Sequence, residues 1–113
     1  MGQRLLKNID ASKVLDLNSL VDYNNGQVVS RTLVQNKAVS ITLFAFDSGE
    51  EIGAHVSEGE AMICILDGNA QITIGEDTFI LDKGQTIVMP AGIPHAVFAN
   101  SKFKMLLTVV FPL

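Results

Sequence analysis

After residue 26 the chain reads as a series of short apolar and β-branched runs, cut at close intervals by turn residues. "QVVSRTLV" (27–34) and "AVSITLFAF" (38–46) are separated by "QNK". "AMICIL" (61–66), "AQITI" (70–74), "TFILD" (78–82), "QTIVM" (85–89), "HAVFA" (95–99) and "KFKMLLTVVF" (102–111) follow. Between them stand the turns "DGN", "GED" and "DKG" and the proline-stiffened loop "PAGIP", while "DSGEEIG" (47–53) reads as a loop. Strands this short, with Gly and Asp turns between them, predict an all-β sandwich or barrel. Ahead of them, residues 10–22 place Val14, Leu17 and Val21 at helix-like spacing. That segment is short and rich in Asp, Asn and Ser, so it predicts no more than a short N-terminal helical turn. Asn25-Gly26 then marks a tight turn.

Several strands carry apolar residues on both faces. Ala61, Ile63 and Ile65 alternate with Met62, Cys64 and Leu66, and Met105, Leu107 and Val109 alternate with Leu106 and Val110. A solvent-facing strand needs only one apolar face, so the second must be covered. A homodimer is the expected cover, with the N-terminal segment of the same chain as the alternative. On the dimer reading, charges placed at Met105 or Leu107 disrupt assembly. Cys64, mid-strand among apolar residues, reads as a small buried hydrophobe.

Composition sharpens this picture. The 113 residues fit one domain spanning 1–113 and bury a core without a disulfide or metal staple. Charged residues are 18 % of the chain against roughly 25 % in ordinary soluble domains, a second hint of covered surface. A net charge of −4, with eight Lys and Arg scattered along the chain, predicts no nucleic-acid partner. No apolar run approaches the roughly 18 residues of a membrane span, so no membrane association is expected. One cysteine and the absence of a secretion-signal pattern point to the cytoplasm.

The chain has two histidines, His55 and His95, and each lies in a glycine-bounded segment: 49–68 and 84–100. In the first, five residues separate Gly49 from His55, and Gly68 closes the segment. In the second, Gly84, Pro90, Gly92 and His95 fall in turn, and fifteen residues, 69–83, lie between the two segments. This order and spacing resembles the two motifs of the cupin superfamily. The resemblance implies a double-stranded β-helix (jelly-roll) barrel whose motif residues converge inside it. Glycines 49, 68 and 84 sit where reversing strands require positive φ, and Pro90 and Pro94 stiffen the loop that aims His95.

A metal-binding cupin supplies three histidines and a glutamate, a set suited to Fe, Mn, Ni or Zn. Here His55 matches the first histidine and His95 the last. Ser57 stands at the second histidine, Ala61 at the glutamate, and Ala99 at the closing asparagine. Two imidazoles fall short of the three protein ligands of a catalytic zinc or of an iron facial triad. Glu60 is the candidate third ligand, although strand alternation turns it away from the barrel if Ala61 faces in. The expected ligand pocket is built from His55, Ser57, Ala61, Ile63 and His95, with Ile65, Ile72, Ile74 and Val88 as further apolar lining. Ser57 lacks an oxyanion hole or third partner, so nucleophilic catalysis is not expected of it. The reading that results is a small-molecule-binding cupin. Its rival is a metal-dependent enzyme of dioxygenase, isomerase or decarboxylase type using His55, His95 and Glu60.

Overall fold

The computed structural model describes residues 3–113; the first two residues of the expected domain lie outside the described ones. Among the described residues, the strands are β1 (Val28–Gln35), β2 (Val39–Phe46), β3 (Glu51–His55), β4 (Glu60–Asp67), β5 (Asn69–Ile74), β6 (Asp77–Asp82), β7 (Thr86–Met89), β8 (His95–Phe98) and β9 (Phe103–Val110). They form two antiparallel sheets, one in the order β1-β2-β9-β4-β7 and the other β3-β8-β5-β6. The fold is all-β, a jelly-roll barrel. The helical expectation for 10–22 reduces to one 3-10 turn, Leu17–Leu20, capped by the Asp16 carboxylate, which accepts from the Asn18 N–H at 3.0 Å. Val14 stands fully exposed instead of on an apolar helix face.

The chain changes sheets between β4 and β5, and Gly68 makes that crossing. Its φ is +70°, and a Cβ there would lie 2.2 Å from the Lys102 carbonyl oxygen. Only glycine serves both demands. Gly49 and Gly84 also take positive φ, as their places in the motifs imply.

Between the sheets lies a filled core that includes Phe46, Ile63, Ile65, Ile72, Met89, Val97, Phe103 and Met105. Phe46 and Phe103 stack at 4.4 Å between ring centroids. Ile63, Ile65 and Ile72 are therefore packing residues with no exposed surface to speak of, not walls of an open cavity. Val88 points out of the barrel and is half exposed, because the β7 residues that face in are Ile87 and Met89.

A second cluster covers part of the outer face of the five-stranded sheet. Ile9, Leu17, Leu20, Val21 and Tyr23 of the N-terminal segment pack on Leu33, Leu43, Ala45, Leu66 and Leu106. The Lys104 ammonium ties the segment down by donating to the Asn18 carbonyl at 2.7 Å. Tyr23 donates its hydroxyl proton to the Asp67 carboxylate at 2.5 Å. The segment thus covers part of the second apolar face within the chain. Met62, Val88 and Val110 remain 40–58 % exposed beyond its reach. Met105 and Leu107 belong to the inner face, so charges there would strike the core instead of an interface. Cys64 is half exposed on the outer face, with its Sγ 3.0 Å from the Thr86 hydroxyl, and so is not the buried hydrophobe its neighbours in sequence suggested. No helix among the described residues is long and apolar enough to cross a membrane.

Candidate functional site: a histidine pair at one end of the barrel

His55 ends β3 and His95 opens β8, and the two are register partners across that strand pair. How His55 comes to face His95 is a matter of counting. Ile52 pairs with Val97, and His55 pairs with His95, so three steps along β3 match two along β8. Side chains alternate across a strand, so an odd separation would place His55 on the opposite face from the core residue Ile52. The extra residue is a β-bulge at Gly53-Ala54, which turns His55 back toward its partner. The loop expected over 47–53 gives way here to the first three residues of β3, "EIGAH", which has little burial to advertise it.

The two rings meet closely. Their Nε2 atoms lie 3.0 Å apart, with ring centroids at 4.3 Å and planes at 71°. The Nδ1 of His55 lies 3.0 Å from the Gly53 carbonyl, inside the bulge itself. A carbonyl only accepts, so that Nδ1 carries the hydrogen. In neutral His55, Nε2 is then a lone pair, and His95 Nε2 is the donor that faces it. His95 Nδ1 is left an acceptor without a partner in a buried position. The two rings share a single Nε2 proton, and a second one would set two N–H groups against each other.

The halves of the pair differ in setting. His55 is exposed and His95 is 4 % exposed. Burial, and after it the neighbouring His55, push the His95 imidazole below the ordinary histidine value. The Ile93 carbonyl works in the opposite direction without making a hydrogen bond that satisfies Nδ1. His95 is thus disposed to stay neutral while His55 meets solvent.

The other expected site residues are placed as follows. Ala61 is buried and faces in, paired with Met89 and Val109. Ile63, one inward position further along, is fully buried. Ile74 is the register partner of His95 on its other side and is half buried. The Ser57 hydroxyl accepts the Gly59 N–H at 3.0 Å, and the Ser57 carbonyl accepts the Gly92 N–H at 2.9 Å. Ser57 therefore ties the two motif loops together. Glu60 is exposed and stands opposite Val110 on the outward face of β4, where strict alternation with buried Ala61 puts it. No bulge rotates it inward. Among the described residues no group of three His, Cys, Asp or Glu side chains is placed to hold a metal ion.

Comparison with known proteins agrees with the geometry. The family model described as the cupin domain matches residues 42–111. The chain belongs to the cupin family. As a cupin it is 50 % identical to a conserved protein of unknown function from Streptococcus pyogenes, with a TM-score of 0.98, over 100 % of this chain and 99 % of that one. It is 33 % identical to a cupin superfamily protein from Desulfitobacterium hafniense, with a TM-score of 0.90, over 95 % and 98 % of the two chains. An uncharacterized protein from Streptomyces coelicolor shares 25 % identity over 79 residues, 70 % of this chain and 75 % of that protein.

Proposed function

We propose that this cupin binds a small organic molecule, and that the His55–His95 pair is the polar group that meets it. The observation that supports this is the Nε2–Nε2 contact at 3.0 Å, built by a bulge whose own carbonyl fixes one tautomer. A bulge beside a converging polar pair is the kind of local departure from regular structure found at functional sites. A ligand that carries a donor for His55 Nε2 and an acceptor for the His95 Nε2–H can separate the rings and partner both nitrogens. The test is a thermal-shift screen of metabolites against the natural protein and His55→Ala. A ligand that raises the melting point of the first and not of the second supports the proposal. If none does so, and His55→Ala behaves as the natural protein throughout, the reading is wrong.

One feature favours a metal-dependent reading. Two imidazoles on one ion at about 2.0–2.1 Å hold their nitrogens roughly 3.0–3.4 Å apart, which the pair matches, and metal-bound histidines commonly have the other nitrogen fixed by a carbonyl. The donor set does not fit a resident divalent ion, because Glu60 faces outward and no other side chain among the described residues supplies the third ligand. Elemental analysis of untagged protein after supplementation with Fe, Mn, Ni or Zn decides between the readings: a stoichiometric metal would replace ligand binding as the account.

The same proposal includes a homodimer that covers Met62, Val88 and Val110, and a cytoplasmic location consistent with the single free thiol.

A further inference from the structure

A shallow, solvent-open hollow of about 410 Å³ lies on the surface away from the core, lined by Asn36, Lys37, Glu58, Phe111 and Pro112. It is assembled from three separate pieces of chain, and each is held by the backbone. Asn36 and Lys37 form the β1–β2 turn, where the Asn36 side-chain oxygen accepts the N–H groups of Ala38 and Val39 at 2.8 and 3.0 Å. That fixes the amide with its Nδ2 hydrogens free of partners among the described residues. Phe111 is anchored by its N–H to the Ala38 carbonyl at 3.0 Å. Glu58 sits in the loop tied by Ser57, next to Gly59, which lies so close beneath the C-terminal strand that a Cβ would meet Val109 Cγ1 at 2.7 Å and Phe111 Cδ1 at 3.0 Å.

The cavity carries one cation, one anion, one free amide and an apolar floor. The sole ion pair among the described residues joins Lys13 to Asp10, so Lys37 and Glu58 face the same space without neutralising each other. Opposite charges held apart across a ring and a proline form a complement to a molecule with its own separated charges. We infer that this groove binds a free α-amino acid with an apolar side chain. Its carboxylate meets Lys37 Nζ and the Asn36 amide, its ammonium meets Glu58, and its side chain lies on Phe111 and Pro112. The inference does not depend on the histidine pair.

The test is a titration of ¹⁵N-labelled protein with L-leucine, followed by amide chemical shifts. The expected result is a saturable, millimolar-range response at Asn36, Lys37, Glu58 and Phe111, with His55 and His95 unmoved. Leucinamide and N-acetyl-leucine each remove one charge of the ligand and should each bind more weakly. Lys37→Gln and Glu58→Gln are surface changes that leave folding intact, and each should weaken leucine about two- to fivefold, as exposed charge pairs do. Leucine binding by both variants as tight as by the natural protein, capped ligands that bind as tightly as leucine, shifts confined to the histidines, or no saturable response would each overturn the inference.

Discussion

Replacing Gly68 by alanine tests the sheet crossing that creates the barrel. The substitution has two separable costs. At φ +70° an alanine is held in the left-handed region, which costs about 1–2 kcal/mol. Its Cβ would also lie 2.2 Å from the Lys102 carbonyl oxygen and 3.1 Å from Phe103 Cα and Cβ. Relief requires roughly an ångström of movement at the start of β9, beneath Phe103, which is fully buried against Phe46. Forcing such a shift into a packed core costs about 1–3 kcal/mol more. The total is about 2–5 kcal/mol, a fall in Tm of roughly 8–20 °C for a chain of this size. Gly26→Ala supplies the control, since Gly26 has φ +66° with nothing within 4 Å of the added Cβ. It should lose only the conformational part, about 1–2 kcal/mol. Urea unfolding of the two variants reads the difference directly. Equal losses, to within about 0.5 kcal/mol, would mean that the close approach of β9 to Gly68 is not a constraint, and the reasoning would fail.

Three further predictions follow from single side chains. Tyr23 is the chain's one tyrosine, and burial followed by the Asp67 carboxylate raises its pKa well above the ordinary value of 10.0. Absorbance near 295 nm should therefore show no ionisation at pH 10 in the folded protein, Asp67→Asn should bring the transition down, and a natural protein titrating at 10 would show the contact to be absent. His95 has its pKa lowered, so the unfolded chain takes up its proton first: stability is whole above 6.5 and falls as pH drops below it until the folded form is protonated. Urea midpoints of the natural protein and His95→Gln from pH 8 to 5 should converge on the acid side, and a natural protein indifferent to pH across that window would refute the assignment. For the proposed homodimer, Met62→Lys should shift the protein toward monomer in sedimentation while it remains folded, whereas Met105→Lys should unfold it; a folded Met105→Lys monomer would reverse the assignment of the two faces.

Most of the fold was legible because its strands carry their own burial pattern. "AMICIL" and "KFKMLLTVVF" announce strands, and glycines 49, 68 and 84 announce reversals, since each needs positive φ. The facing of Glu60 also followed from alternation with Ala61. What escaped was set by tertiary context. β3 is an exposed edge strand with only Ile52 partly buried, so it offered no apolar alternation to read. Its bulge was hinted at only by a glycine inside the strand, Gly53, and the histidine pair depends on it. Val88, Met105 and Leu107 were assigned to the wrong faces or roles because strands apolar on both sides give period without direction. The N-terminal segment resolves that ambiguity for part of the sheet, through contacts between residues far apart in sequence.

The central claim is that His55 and His95 act as one proton-sharing unit. Long-range ¹⁵N–¹H correlation spectra of the two imidazoles, followed through a pH titration, test it most directly. The account predicts His55 protonated on Nδ1 and His95 on Nε2 at neutral pH, with His95 titrating below 6.5. Rings of mixed tautomer, with His95 titrating at the ordinary histidine value, would contradict it.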